Sequence, residues 1–368
     1  MIIVGTKIKA IFSKQSTNNG YQILNIICPV VSVLLAFLAG GLMLLLLKIN
    51  PLVVYQRMIV ASFGDPYNLA EMLVKAIPLL LTGLSFAFAF KAGLFNIGAD
   101  GQFYLGALGA VVVSLKLGFL SPWLVLPLAL IASVIMGGLF SGLAGYLKAR
   151  FNANEIITTI MLNYVAFSLT NYVVNGPLKE KAGAYPQTDP IPGNAQLPLL
   201  IADTRLHFGL VVALLCAVIF YFIITRTSIG FQIRAVGLNQ RAAEYAGINT
   251  KRALILAMVF SGIFAGIAGF GEINGVQHIL IQGFSPNVGT VGTVIALLAN
   301  ANPLGIVIGS LFFGFLQVGA NLISQTSQVP QNAIDMIQGF VVIFVLISYY
   351  IQNWIHTYQR IRQLKGAL

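Results

Sequence analysis

The sequence predicts an all-α, polytopic membrane protein of about ten transmembrane helices. Apolar segments with few or no charges recur along almost the whole chain, each suited to cross a hydrocarbon layer about 30 Å thick as a helix. Composition agrees: 58% of residues are hydrophobic, 8% are charged, and mean hydropathy is +0.88. A soluble domain carries about a quarter charged residues, so lipid must be the solvent here. Two polar, glycine-bearing stretches interrupt the pattern near residues 91–102 and 272–290, and broken helices are expected there.

Residues 1–23 form a short basic segment with Lys7, Lys9 and Lys14, expected in the cytoplasm. The transmembrane domain then fills residues 24–351. Its first span, 24–47, is uncharged and too long for a cleaved signal, so it reads as an anchor. Residues 50–68 are amphipathic, with Arg57, Asp65 and Pro66, and are expected along the interface. The second span covers 69–90 and carries Glu71, Lys75 and Pro78 near one end. After the first break come spans at 103–117, 123–147 and 156–174. Residues 175–206, with Pro177, Pro186, Pro190, Pro192 and Pro198, predict an extracellular loop shaped by prolines. A span at 208–225 leads into the basic connection 226–252, then a span at 253–271. Residues 291–299 are apolar but too short to cross alone, which gives the second broken helix. Spans at 304–323 and 333–351 close the domain, with Asp335 expected to cap the last helix. Residues 352–368 form a basic cytoplasmic tail with Trp354 and Tyr358 as interfacial anchors.

The net charge of +11 follows from topology and gives no reason to invoke nucleic acid. Lys148 and Arg150, the arginines and lysines of 226–252, and Arg360, Arg362 and Lys365 fall on one side if both termini are cytoplasmic. Cys28 and Cys216 lie within apolar spans and imply neither disulfide nor metal site. Small-residue pairs such as Gly138 and Gly142, Gly262 and Gly266, and Gly305 and Gly309 predict close helix packing.

Catalysis is not expected. The chain has no G-x-x-x-x-G-K-[ST] loop, no metal-ligand spacing and no Ser/His/Asp set. At the first break, Asn96, Asp100 and Gln102 are candidates for a substrate pathway, because an intramembrane charge usually faces a cavity or a partner. The alternative, held equal, is that Asp100 caps the helix beginning near Gln102. Asn163 within a span, and Asn274 and Gln282 in the second polar stretch, are further pathway candidates. Interhelical bonding and an ordinary loop are the plainer explanations for these. In the basic connection, Asn239 can cap a short helix over 240–246 and Gly247 can end it. Such a helix offers a grip to a partner.

With these residues in view, the chain resembles a known group. Phe95-Asn-Ile-Gly-Ala-Asp-Gly-Gln102 is similar to the FNIGAEGQ signature of nucleoside-type permeases of ABC importers. That group also serves ribose and branched-chain amino acids. Residues 235–248, Ser261-Gly-Ile-Phe-Ala-Gly-Ile-Ala-Gly269 and Asn302-Pro-Leu-Gly305 resemble its coupling segment and later helices. Asp100 stands where the signature shows Glu.

The resemblance implies a permease subunit of an ATP-driven importer in a bacterial cell membrane, most consistent with nucleosides as cargo. Two ATPase subunits would hold ATP and Mg²⁺, this chain would hold no cofactor, and Arg234, Gly237, Asn239, Arg241, Glu244 and Tyr245 would meet the ATPase. A second, related permease chain and an extracellular substrate-binding lipoprotein complete the expected partners. The alternatives are a ribose-type sugar permease of the same group and an ion-coupled secondary transporter using Asp100 and Glu272.

Overall fold

The computed structural model describes residues 19–326, apart from 182, 184, 285 and 286, and residues 336–351 apart from 349. The basic residues of the N-terminal segment, the tail, Asp335, Trp354 and Tyr358 lie outside the described residues. The chain divides into two units, residues 1–51 with 332–368, and residues 52–331.

In the first unit, helix α1 (Asn19–Leu46) buries Ser32, Ala36, Gly40 and Leu44. These lie four apart, the spacing of one helical face. Leu34, Leu38, Leu42 and Leu46 point outward, as in a helix solvated by lipid. The short apolar helix Met336–Ser348 buries Ile337, Val341 and Val345 at the same spacing.

The second unit begins with α2 (Pro51–Phe63), whose buried face is Val54, Met58 and Ser62. This is the amphipathic segment expected from the sequence. Then follow α3 (Pro66–Lys91), α4 (Ala99–Leu117), α5 (Pro122–Phe151), α6 (Glu155–Asn175), α7 (Gly209–Arg226), α8 (Ser228–Leu238), α9 (Gln240–Tyr245), α10 (Thr250–Glu272), α11 (Val288–Leu298) and α12 (Pro303–Thr326). Asp65 caps α3 by accepting from the Tyr67 N–H, and Pro66 starts it, as fixed φ favours at a first helical position. Lys148 at the end of α5 pairs with Glu155 at the start of α6, 2.9 Å apart across a turn in which Asn152 has φ 51°. The ten apolar segments expected from the sequence are helical over their described residues, apart from Leu47, Phe208 and Ala299 at their ends. Among the described residues, six helices are individually long and apolar enough to span a membrane.

Burial ranks the helices. In their most apolar windows α3 is 83% buried and α10 is 67% buried, whereas α6 is 17% buried. The core is therefore α3 and α10 with α4 against them, and α5, α6 and α7 surround it. Glycine makes the α5–α10 contact possible. A Cβ on Gly262 would collide with the Gly137 carbonyl oxygen, and one on Gly266 with that of Ser133. The expected Gly262/Gly266 spacing thus marks backbone-to-backbone contact. Its closest partner on α5 is Gly137, one residue before the glycine singled out from spacing.

The expected proline loop, residues 175–206, falls between the end of α6 and α7 and among its described residues has one 3-10 turn, Gly193–Ala195. Its order comes from the second break. The N–H groups of Thr188, Ile191 and Leu197 donate to the carbonyls of Leu280, His278 and Asn274, at 3.0, 2.8 and 2.7 Å.

Candidate functional site

Both expected breaks are present. At the first, α3 stops at Lys91, Gly93 takes φ +76°, and the chain is irregular until α4 begins at Ala99. At the second, α10 passes into a π-turn over Ile273–Gln277, His278 takes φ 58°, and α11 starts after Asn287 at φ 64°.

The first break is held by a buried amide network. Asn96 and Gln102 exchange hydrogen bonds in both directions, at 3.0 and 3.1 Å. Asn96 Nδ2 also donates to Ser261 Oγ at 2.7 Å, and Ser261 donates to the Ser85 carbonyl at 2.7 Å. Asn163, on α6, braces the same turn: its Oδ1 accepts from the Gly101 N–H and its Nδ2 donates to the Ile97 carbonyl. Interrupting a helix frees backbone groups, and amides that both donate and accept are suited to satisfy them.

Asp100 joins the two breaks. It lies in the first turn of α4 and does not cap that helix, whose N-cap is Gly98. Instead Oδ1 accepts the Gly289 N–H at 2.6 Å, and Oδ2 accepts the Thr290 N–H at 3.1 Å and hydroxyl at 2.8 Å. One carboxylate therefore lies at the N-terminal ends of α4 and α11, where helix dipoles favour negative charge. Beside it, Phe284 stacks on Phe103 with centroids 5.3 Å apart and tilts against Tyr104 at 4.6 Å.

The other pathway candidates fall into two kinds. Asn274 is fully buried, and its Nδ2 donates to Ser114 Oγ and the Ala195 carbonyl, tying the proline loop to the π-turn. Gln282 is exposed and lies within 3.4 Å of Asn175 at the end of α6. Glu272 is buried and accepts from Gln277 Nε2 at 2.9 Å. The structure gathers Asn96, Asp100, Gln102 and Asn163 in one place and sets Asn274 and Gln282 with the loop.

The basic connection is two capped helices. Thr227 caps α8 by accepting the Gly230 N–H, and Asn239 Oδ1 accepts the Ala242 N–H to cap α9. Gly247 ends the second turn at φ +80°. The short helix matches the expected one, while α8 before it was not anticipated. Leu238 is 88% exposed and Tyr245 93%, with Arg234, Arg241 and Glu244 also exposed. Gly237 differs from these: a Cβ there would collide with the Lys91 carbonyl oxygen, so this position rests on the first break.

Near the start of α3 lies a charged cluster that spacing could not assemble. Glu71 is 3.7 Å from Arg205. The buried His207 accepts the Gly209 N–H at Nδ1, and its ring leaves no room for a Cβ on Gly275. Burial first, then the charges of His278 and Arg205, push the His207 pKa down to about 4. Burial also lowers that of His278, with Arg205 adding to it. Sequence reasoning missed His207, Ser85, Ser261, Gly289 and Thr290. The partners of Ser85, Ser261, Gly289 and Thr290 lie far along the chain, and although His207 has Gly209 beside it, the packing of Gly275 against its ring is equally distant in sequence.

An all-helical chain with mostly lipid-type surfaces, two broken helices joined through a carboxylate, and no strand among the described residues is an integral membrane protein of the transport-permease class. Residues 68–346 match the family of the branched-chain amino acid transport system permease component, and the chain belongs to that family. The guanosine ABC transporter permease protein NupP of Bacillus subtilis is 38% identical over 335 residues, covering 89% of this chain and 95% of that protein. The glucose ABC transporter permease protein of Haloferax volcanii is 34% identical, covering 89% and 88%. The nucleoside ABC transporter permease protein NupB of Lactococcus lactis is 32% identical, covering 89% and 92%.

Proposed function

We propose that this chain is the permease subunit of an ATP-driven importer and that its cargo is nucleosides. The observation that carries the energy source is the α8–α9 connection: α8 ends on an exposed Leu238 and the short capped helix after it leaves Tyr245 in the open, within a transport-permease family. Large apolar side chains this exposed in a basic loop favour a partner surface. The sequence contains no phosphate-binding loop, so the partner supplies ATP hydrolysis, and ATP and Mg²⁺ belong to it. Two such ATPases, a second related permease and an extracellular substrate-binding lipoprotein complete the assembly. The positive residues of 226–252 support a cytoplasmic placement of this connection, with both termini on the same side of a bacterial cell membrane. In the working cycle Arg234, Asn239, Arg241, Glu244 and Tyr245 meet the ATPase, Gly237 passes the movement to the first break, and Asn96, Asp100, Gln102 and Asn163 border the pathway.

Nucleosides are supported by relatives named for guanosine and for nucleosides. The relative named for glucose favours a sugar as the second reading. Uptake of labelled guanosine by cells expressing the transporter separates them. Excess unlabelled inosine should abolish the signal and excess ribose or glucose should leave it. Competition by the sugars alone would replace the first reading by the second.

A further inference from the structure

The geometry points to Asp100 as a positioning residue, a carboxylate latch between the two broken helices that is driven from α8 through Gly237. Asp100 is 5% exposed, and no ion pair is formed with it among the described residues. Its two oxygens take three donors, all from Gly289 and Thr290. Such a set suits the ionised carboxylate, whose hydrogen bonds are roughly twice as strong as neutral ones. Contact is so close that a Cβ on Gly289 would collide with the Asp100 N–H. A short acid and a glycine are thus matched across 189 residues of sequence.

The other end of the same break meets α8. A Cβ on Gly237 would collide with the Lys91 carbonyl oxygen and stand 3.0 Å from the Ala92 carbonyl carbon. Between these two ends the stretch 92–98 is held at its far half: Asn96 is bonded to Gln102 and to Ser261 of α10, and Asn163 of α6 holds Ile97 and Gly101. A displacement of α8 therefore reaches Asp100 as movement of one braced body. The bistable part is the latch, formed with α11 in this structure and released when the body shifts. Coupling between distant sites requires such a two-state element.

This inference rests on the importer reading. Its test uses the complete transporter in proteoliposomes, reading guanosine moved per ATP hydrolysed. Asp100→Asn puts an amide donor against the donors of Gly289 and Thr290, and should lower that ratio about tenfold, the scale of losing one charge-assisted bond. Thr290→Val should lower it about threefold, and Thr290→Ser, which keeps the hydroxyl, should restore it. Gly237→Ala should lower it too, and the double variant Gly237→Ala/Asp100→Asn should be no worse than the more impaired single variant, because both interrupt one linkage. Losses that multiply in the double variant, or an unchanged ratio in assembled Asp100→Asn transporter, would overturn the latch. Should Asp100→Asn fail to assemble, the Thr290→Val and Thr290→Ser pair decides: equal ratios overturn it, and loss with rescue supports it. A wild-type transporter that moves no guanosine would instead count against the importer reading.

Discussion

His207 is held in a single protonation state by what surrounds it. The Gly209 N–H already donates to Nδ1, so a proton there would set two donors against each other. Arg205 and His278 face it from the loop and the second break, and Glu71 on α3 is engaged with Arg205. With a folded pKa of about 4 against 6.5 unfolded, the unfolded chain takes up a proton as pH falls through 6.5 and the folded chain does not until 4. The contribution is therefore constant above pH 6.5, and stability is lost progressively between 6.5 and 4. At one proton, the loss across that window is about 3 kcal/mol. Thermal denaturation of the detergent-solubilised protein checks this: between pH 7.5 and 4.5 the wild type should lose several degrees more than His207→Gln, whose side-chain oxygen can accept the same N–H. Equal losses would show that the histidine does not govern the acid sensitivity. The neutral state was not legible in the sequence, where His207 stood at the edge of a span and nothing local placed Gly275 or His278 against it. Its neutral state depends on Gly275 lying against the ring, a contact between residues 68 positions apart.

At the scale of elements, the cap of α9 was legible, while the cap offered for Asp100 gave way to a contact that was not. Asn239, Gly247 and the short helix between them follow from local chemistry, since a side-chain oxygen meets an N–H three residues on. Both breaks were legible because glycine and charge stand out within apolar runs. That the two breaks meet at Asp100 was hidden, as was the inward contact of Gly237, because tertiary partners leave no trace in spacing. This changes how the connection should be probed. Any side chain at Gly237 strikes the Lys91 carbonyl, so Gly237→Trp disturbs the first break as well as a partner surface. Arg241 is exposed and makes the cleaner test. Arg241→Glu should leave the protein inserted and folded and lower guanosine uptake at least tenfold, with weaker co-purification of the ATPase, as expected for reversing a charge at a contact. Normal uptake and normal co-purification would remove α9 as the docking site. Asn239→Ala should weaken the same contact less, because losing an N-cap costs a helix about 1 kcal/mol. Its effect should appear as reduced ATPase retention on dilution, with membrane insertion unchanged.

At the scale of the whole molecule, the unit of residues 52–331 has a buried core of α3, α4 and α10 and a periphery whose apolar side chains face outward, as lipid requires. The core carries few ionisable groups. Glu272 is bonded to Gln277 and Asp100 to Gly289 and Thr290, so the two carboxylates an ion-coupled transporter would need both hold protein donors. A proton- or sodium-driven cycle requires an ion to take the place of those donors on every turnover, whereas the latch proposed for Asp100 opens by movement of α8 with no ion taking part. An engine outside the membrane domain fits better, with force entering at α8 and α9. The expected consequence concerns energy supply. In cells carrying the full transporter, collapse of the proton and sodium gradients with cellular ATP maintained should leave guanosine uptake within about twofold of its starting rate, while ATP depletion with the gradients clamped should abolish it. The reverse pattern would assign the work to Asp100 and Glu272 and return the chain to the secondary transporters. Purified chain reconstituted without its companions should bind lipid and fold, yet accumulate no cargo against a gradient. Accumulation by the lone chain would mean that the exposed helix transmits nothing essential.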